Sequence, residues 1–175
     1  MKNILSLKHN NFEIIFKSES YSSQISLYDD INIILIYENT EYLLSRDCFQ
    51  YNLYALRDLL NEAINNNSVF PYSIKKNIGI IWNEIVQEVV SGKLQIEQEL
   101  GFIEEFILWE SPGNISPNVT TTWLYNDKDN IIFEVTPNYD HYMIRQEIKM
   151  DYGKFIENYA SIIKVEMPKD IAILW

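Results

Sequence analysis

The chain has 175 residues, a length that suits one domain spanning 1–175, and its 47% hydrophobic and 14% aromatic content excludes intrinsic disorder. Twenty-five acidic residues oppose 14 basic ones, for a net charge of −11. That balance disfavours direct binding to nucleic-acid phosphates or anionic lipid and favours a basic partner, although the same charge also serves solubility.

The N-terminus reads MKNILSLKHNN, and its apolar run from Ile4 to Leu7 holds a serine and stops at Lys8, too short for a signal-peptide core. No stretch approaches the roughly 20 apolar residues of a membrane span, so a cytoplasmic protein is expected. Phe12, Ile14 and Phe16 alternate with Glu13 and Lys17, the period of a half-buried strand. Ile25 and Leu27 read as a short strand before the Asp29–Asp30 turn, and Ile31 to Tyr37 as a strand buried on both faces. Glu38-Asn39-Thr40 turns the chain into Tyr42–Leu44, completing a meander. Cys48 follows; as the sole cysteine it forbids an intrachain disulfide and fits a reducing compartment.

Leu53, Leu56, Leu60 and Ile64 lie on one stripe and predict a helix over 52–65, ended by the linker to Tyr72 with Pro71 as breaker. Ser73 is placed to cap a second helix over 74–91, carried by Ile78, Ile81, Trp82, Ile85 and Val89, with Gly92 where a left-handed residue ends a helix. Gly79 inside it costs about 1 kcal/mol against Ala, which points to close packing there. Phe102 to Trp109 reads as one strand. Two Pro-containing loops lead to Thr120–Tyr125 and Ile131–Thr136, joined as a hairpin through 126–130 and stopped by Pro137. Tyr142–Met150 reads as a further strand, and Asp151 as the cap of a third helix carrying Tyr152, Phe155, Ile156 and Tyr159. The tail beyond Pro168 fits a strand or a short helix equally. A meander, then helices, then a hairpin block, without β-α-β alternation, predicts an α+β fold with antiparallel sheet and about three helices.

Catalytic constellations are thin. The two histidines are His9, in a polar turn, and His141, whose neighbour Asp140 is too close in sequence to orient its ring as a triad requires. A small enzyme using His141 with Cys48 or a carboxylate is one alternative; a scaffold subunit is another. No metal or cofactor motif is present: H-E-x-x-H, C-x-x-C, an EF-hand loop and a glycine-rich phosphate loop are all missing, so neither kind of group is expected. Carboxylates are the richer signal. Glu97, Glu99, Glu104, Glu105 and Glu110 flank the 102–109 segment, and Asp127, Asp129 and Glu134 come from the hairpin. If the two segments pair, these eight gather on one face that can cover a basic cleft; the plainer alternative is a scattered solvated surface. Read as a strand, 102–109 points Glu104 and Glu105 to opposite faces. Trp109, Trp123, Tyr125 and Tyr139 are interface anchors or, more ordinarily, core.

The run GFIEEFILWESPGNISPNVTTTWLYNDKDNIIFEVTPNY, followed by YGKFIENYASIIK and preceded by ENTEYLLSRDCFQYNLYALRDLL, resembles small immunity proteins of bacterial contact-dependent inhibition and related polymorphic-toxin systems. The likeness lies in element order and the W–S-P–W-L-Y–T-P rhythm over most of the chain, and no single residue's role is carried across. It implies cytoplasmic residence, no catalysis, and a one-to-one complex with a toxin domain, often a nuclease.

Overall fold

The computed structural model describes residues 2–19, 24–65, 67–71, 76–93, 101–112, 119–139 and 150–173. Two antiparallel four-stranded sheets carry the fold, each with its strands in chain order. The first comprises β1 (Lys2–His9), β2 (Phe12–Ser18), β3 (Asp30–Tyr37) and β4 (Thr40–Cys48). The β3–β4 turn puts Glu38 and Asn39 at φ 49° and 63°, the paired positive values of a hairpin turn that matches strand twist. After β4 the chain enters α1 (Phe49–Ile64) and then α2 (Ile78–Val90) and the one-turn α3 (Gly101–Glu104). The second sheet comprises β5 (Ile107–Glu110), β6 (Thr120–Asp127), β7 (Asn130–Pro137) and β8 (Ile163–Pro168), with α4 (Tyr152–Glu157) before β8 and α5 (Lys169–Ala172) after it. The α+β class and the antiparallel sheets are as expected.

Alternation explains the layering. Phe12, Ile14, Phe16, Ile33 and Leu35 point from the first sheet toward Leu124, Phe133, Val135 and Met167 of the second, and Leu56, Leu60 and Ala63 of α1 close the same cluster. Phe12 stacks on Phe133 at 5.7 Å between centroids, and Phe16 meets Trp109 edge-on at 5.9 Å. Each such buried side chain contributes about 1.5–3 kcal/mol. A second cluster covers the opposite face of the second sheet, where Trp123, Tyr125 and Ile132 meet Ile78 of α2, Ile103 and Phe106, with Trp82 edge-on to Trp123. The second sheet is therefore buried on both faces. Ile15, Ile34, Ile36 and Leu43, on the outer face of the first sheet, belong to neither cluster.

Several boundaries differ from the sequence reading, each for a local reason. Residues 25–27 form no strand, because their backbone serves α1: Asp29 O accepts from Phe49 N at 2.9 Å and Leu27 O from Gln50 N at 2.8 Å. These bonds satisfy donors that every helix start leaves open, so α1 begins three residues earlier than its leucine stripe suggests. Asn77 caps α2, accepting from Gly79 N at 2.9 Å, and Ser73 lies outside the described residues. Gly92 does end the helix, at φ 72°, with Gly92 N bonded to Val89 O and Lys93 N to Glu88 O. The 102–109 segment is not one strand: Phe106 N bonds back to Ile103 O, and pairing starts only at Ile107. Asp151 caps α4 as expected. The tail forms α5, while β1 and β8 are additional to the predicted strands. Residues 142–149 lie outside the described part.

α2 sits on β7 with little clearance. A Cβ on Gly79 would lie 2.7 Å from both Cβ and Oγ1 of Thr136 and would overlap Tyr159 Oη. Asn77 Nδ2 donates to Glu134 at 2.6 Å, and Asn83 donates to Pro137 O at 3.1 Å and accepts from Tyr139 N at 2.7 Å.

Candidate functional site: an acidic groove lined by tyrosines

Three of the eight predicted carboxylates share one side of the molecule. Glu104 ends α3, Glu105 follows it, and Glu110 ends β5, and all three are exposed. Because residues 101–104 are helical, Glu104 and Glu105 do not project from opposite faces of a strand. The charge of Glu104 reaches Glu110: crowding by the surrounding protein chiefly, then this negative neighbour, holds the Glu110 carboxyl above the usual range. Asp127 and Asp129 are exposed at the β6–β7 hairpin tip, at the other end of α1, where Asn126 Nδ2 donates to Ala63 O at 3.2 Å. Glu97 and Glu99 lie outside the described residues.

Glu134 is not a surface group. Its residue is fully buried, and its carboxylate accepts from Asn77 at 2.6 Å, Ser161 at 2.5 Å and Tyr125 at 2.8 Å, with Lys164 Nζ at 3.5 Å. The strand period turned it inward, opposite Trp123 and beneath α2, so it fastens helix to sheet and offers nothing to a partner. Burial first, then the adjacent Glu134 charge, pushes the Tyr125 hydroxyl strongly upward. Trp109, Trp123 and Tyr125 are core residues.

A groove of about 570 Å³ lies where the start of α1 meets β5, and Glu105 and Ile107 form one wall. Tyr51, Tyr54, Ala55 and Asp58 of α1 form the other, and Tyr28 reaches in from the loop that caps the helix. Tyr28 is 78% exposed and Tyr51 62%, with Tyr54 and the adjacent Leu27 also exposed. Sequence reasoning missed these residues. The legible signal was their spacing: 51, 54 and 58 recur at helical intervals on the side of α1 away from its leucine stripe, where aromatic side chains have no core to fill. Beside the groove, the Arg57 guanidinium lies 4.6 Å from the Tyr54 ring centroid and 2.7 Å from an Asp58 oxygen. A ring face beside a carboxylate thus already holds a cation within the chain.

Cys48 lines the same groove, half-buried. His141 and the side chain of His9 lie outside the described part. Among the described residues no group of three or more His, Cys, Asp or Glu converges to hold a metal ion, and no helix is long and apolar enough to cross a membrane. No protein-family model, curated protein or solved structure matches the chain.

Proposed function

We propose that this protein is an immunity protein that binds a cognate bacterial toxin domain in the cytoplasm and neutralises it by covering a basic site. The observation that carries this reading is the groove between α1 and β5, where Tyr28, Tyr51 and Tyr54 stand exposed beside Asp58 and Glu105. Tyrosine combines large contact area with low ordering cost, which makes it a frequent anchor of protein interfaces. The carboxylates match a cleft built to hold phosphates, and a net charge of −11 accelerates encounter with a basic surface. Glu104 and Glu110 extend the acidic rim, and Asp127 and Asp129 lie further along α1.

The test is titration calorimetry and toxicity rescue with the toxin domain encoded beside this gene. A one-to-one complex is expected. Tyr51→Ala weakens it about 30-fold or more if Tyr51 is an anchor worth about 2 kcal/mol. Glu105→Lys acts mainly by slowing association, and raised salt mimics it. Unchanged affinity in both variants would remove the groove from the interface. Failure of any neighbouring toxin domain to bind or be neutralised would overturn the reading itself.

A further inference from the structure

We infer that the groove between α1 and β5 takes the side chain of one arginine from its partner, the stem lying along an apolar floor and the guanidinium meeting two carboxylates. The inference rests on the reading of this groove as a binding surface and names its occupant. Helix geometry makes the slot. Tyr51, Ala55 and Asp58 follow one another along the same side of α1, four and then three residues apart, and all three line the groove. The middle side chain is the smallest, so a trough opens between the tyrosine ring and the carboxylate. Leu59 continues the apolar lining along α1 and Ile107 supplies it from β5, while Glu105 stands across from the helix.

Shape and charge identify the occupant. A volume of about 570 Å³ falls in the range of small-ligand sites, about 300–1,000 Å³, and admits a whole side chain. Tyr51, Asp58 and Glu105 are exposed, so the slot is open to a partner. Among the described residues that line it, the charged ones are Asp58 and Glu105, with no lysine or arginine beside them. Arg57 lines instead a second groove, which shares Tyr54. Its bonds to Asp58, from Nε at 2.8 Å and Nη2 at 2.7 Å, both fall on Oδ1 and leave Oδ2 for a second cation. The same Arg57 lies 4.6 Å from the Tyr54 ring centroid, an intrachain example of a guanidinium held by a tyrosine face and a carboxylate. An arriving arginine repeats that contact on Tyr51: its stem covers Ala55, Leu59 and Ile107, and its planar tip stacks and forks toward Asp58 and Glu105. A lysine ammonium is compact and strongly hydrated, and neither stacks flat nor bonds bidentately.

Titration of the full chain, its tyrosine rings isotope-labelled, with N-acetyl-arginine methylamide at constant ionic strength tests this by NMR. Saturable shifts of the Tyr51 and Tyr54 ring signals are expected, each assigned by its loss in the matching Tyr→Phe variant. The lysine analogue should bind more weakly, and the citrulline analogue, alike in shape but uncharged, should not bind. Tyr51→Leu should weaken arginine binding about 2–5-fold, the worth of one exposed cation–π contact. Ala55→Leu fills the trough without changing charge and should abolish binding. Should that variant misfold, the double variant Asp58→Asn, Glu105→Gln replaces it, with the same loss expected. Absence of saturable shifts, lysine or citrulline bound as tightly as arginine, or undiminished binding in folded Ala55→Leu or in the double variant overturns the inference. Failure of the toxin complex would leave these results standing, whereas their failure beside an intact toxin complex removes the arginine alone.

Discussion

Gly79→Ala is a substitution that helix propensity alone would recommend. In an exposed helix the exchange gains up to about 1 kcal/mol. Here the new methyl would lie 2.7 Å from Thr136 Cβ and overlap Tyr159 Oη. Thr136 belongs to a central strand, and its Oγ1 accepts from Trp123 Nε1 at 2.7 Å, so moving it loosens a buried bond of about 0.5–1.5 kcal/mol. Inserting a methyl into so tight a contact costs about 1–3 kcal/mol, and lifting α2 instead uncovers Ile78 and Trp82. The steric cost and the loosened bond together outweigh the propensity gain, for a net loss of about 0.5–3.5 kcal/mol. Urea unfolding followed by circular dichroism and tryptophan fluorescence measures it, with a lower midpoint and an unchanged slope. Thermal midpoints fall by about 2–4 °C per kcal/mol for a chain of this size. Tyr159→Phe in the same background should recover part of the loss by removing one of the clashing atoms, a coupling readable in a double-mutant cycle. A neutral or stabilising Gly79→Ala would show that α2 is not seated on β7 as described.

Two further outcomes follow from the Glu134 network. Glu134→Ala leaves the donors of Asn77, Ser161 and Tyr125 without their acceptor and should cost about 1–3 kcal/mol for each donor that stays buried and unsatisfied, the half-exposed Lys164 turning to solvent, with Glu134→Gln milder in the same urea assay. At high pH the tyrosines govern stability: burial first, with Glu134 adding, raises the folded-state pKa of both Tyr125 and Tyr159. Their contribution is intact below the unfolded tyrosine value of about 10 and is lost as pH rises from there toward the folded values, since only the unfolded chain releases those protons early. Tyr125→Phe should lower stability at neutral pH but flatten its decline above pH about 10, measured as unfolding free energy against pH. An equally steep decline in that variant would refute the assignment.

Fold class was legible because alternation and helical stripes are direct records of which face is buried. Phe12, Ile14 and Phe16 mark the inner face of β2 without any structure. What escaped depended on distant partners. β8 is the exception: Ile163, Val165 and Met167 pack inward between exposed Lys164 and Glu166, an alternation legible in the sequence, and it lies in the stretch between the third helix and Pro168 for which the sequence reading gives no strand. Ile25 and Leu27 look extended, yet their loop is drawn into capping a helix 20 residues later. The site divided in the same way. Glu104, Glu105 and Glu110 are exposed, as a charge run suggests, although Glu104 ends a helical turn where the sequence reads as a strand; Glu134 needs the strand period and the position of α2 to be recognised as internal. Tyr51 and Tyr54 lie off the leucine stripe that marks the helix, and aromatic residues away from such a stripe are the less expected feature.

The polar pins at Asn77, Gly79 and Asn83 have a consequence beyond attachment. Isoleucine and tryptophan side chains alone would let α2 slide or rotate over the sheet, since apolar contacts are nearly indifferent to small shifts. Three points with fixed direction and almost no clearance work as an index mark, allowing one register of helix on strand and penalising its neighbours.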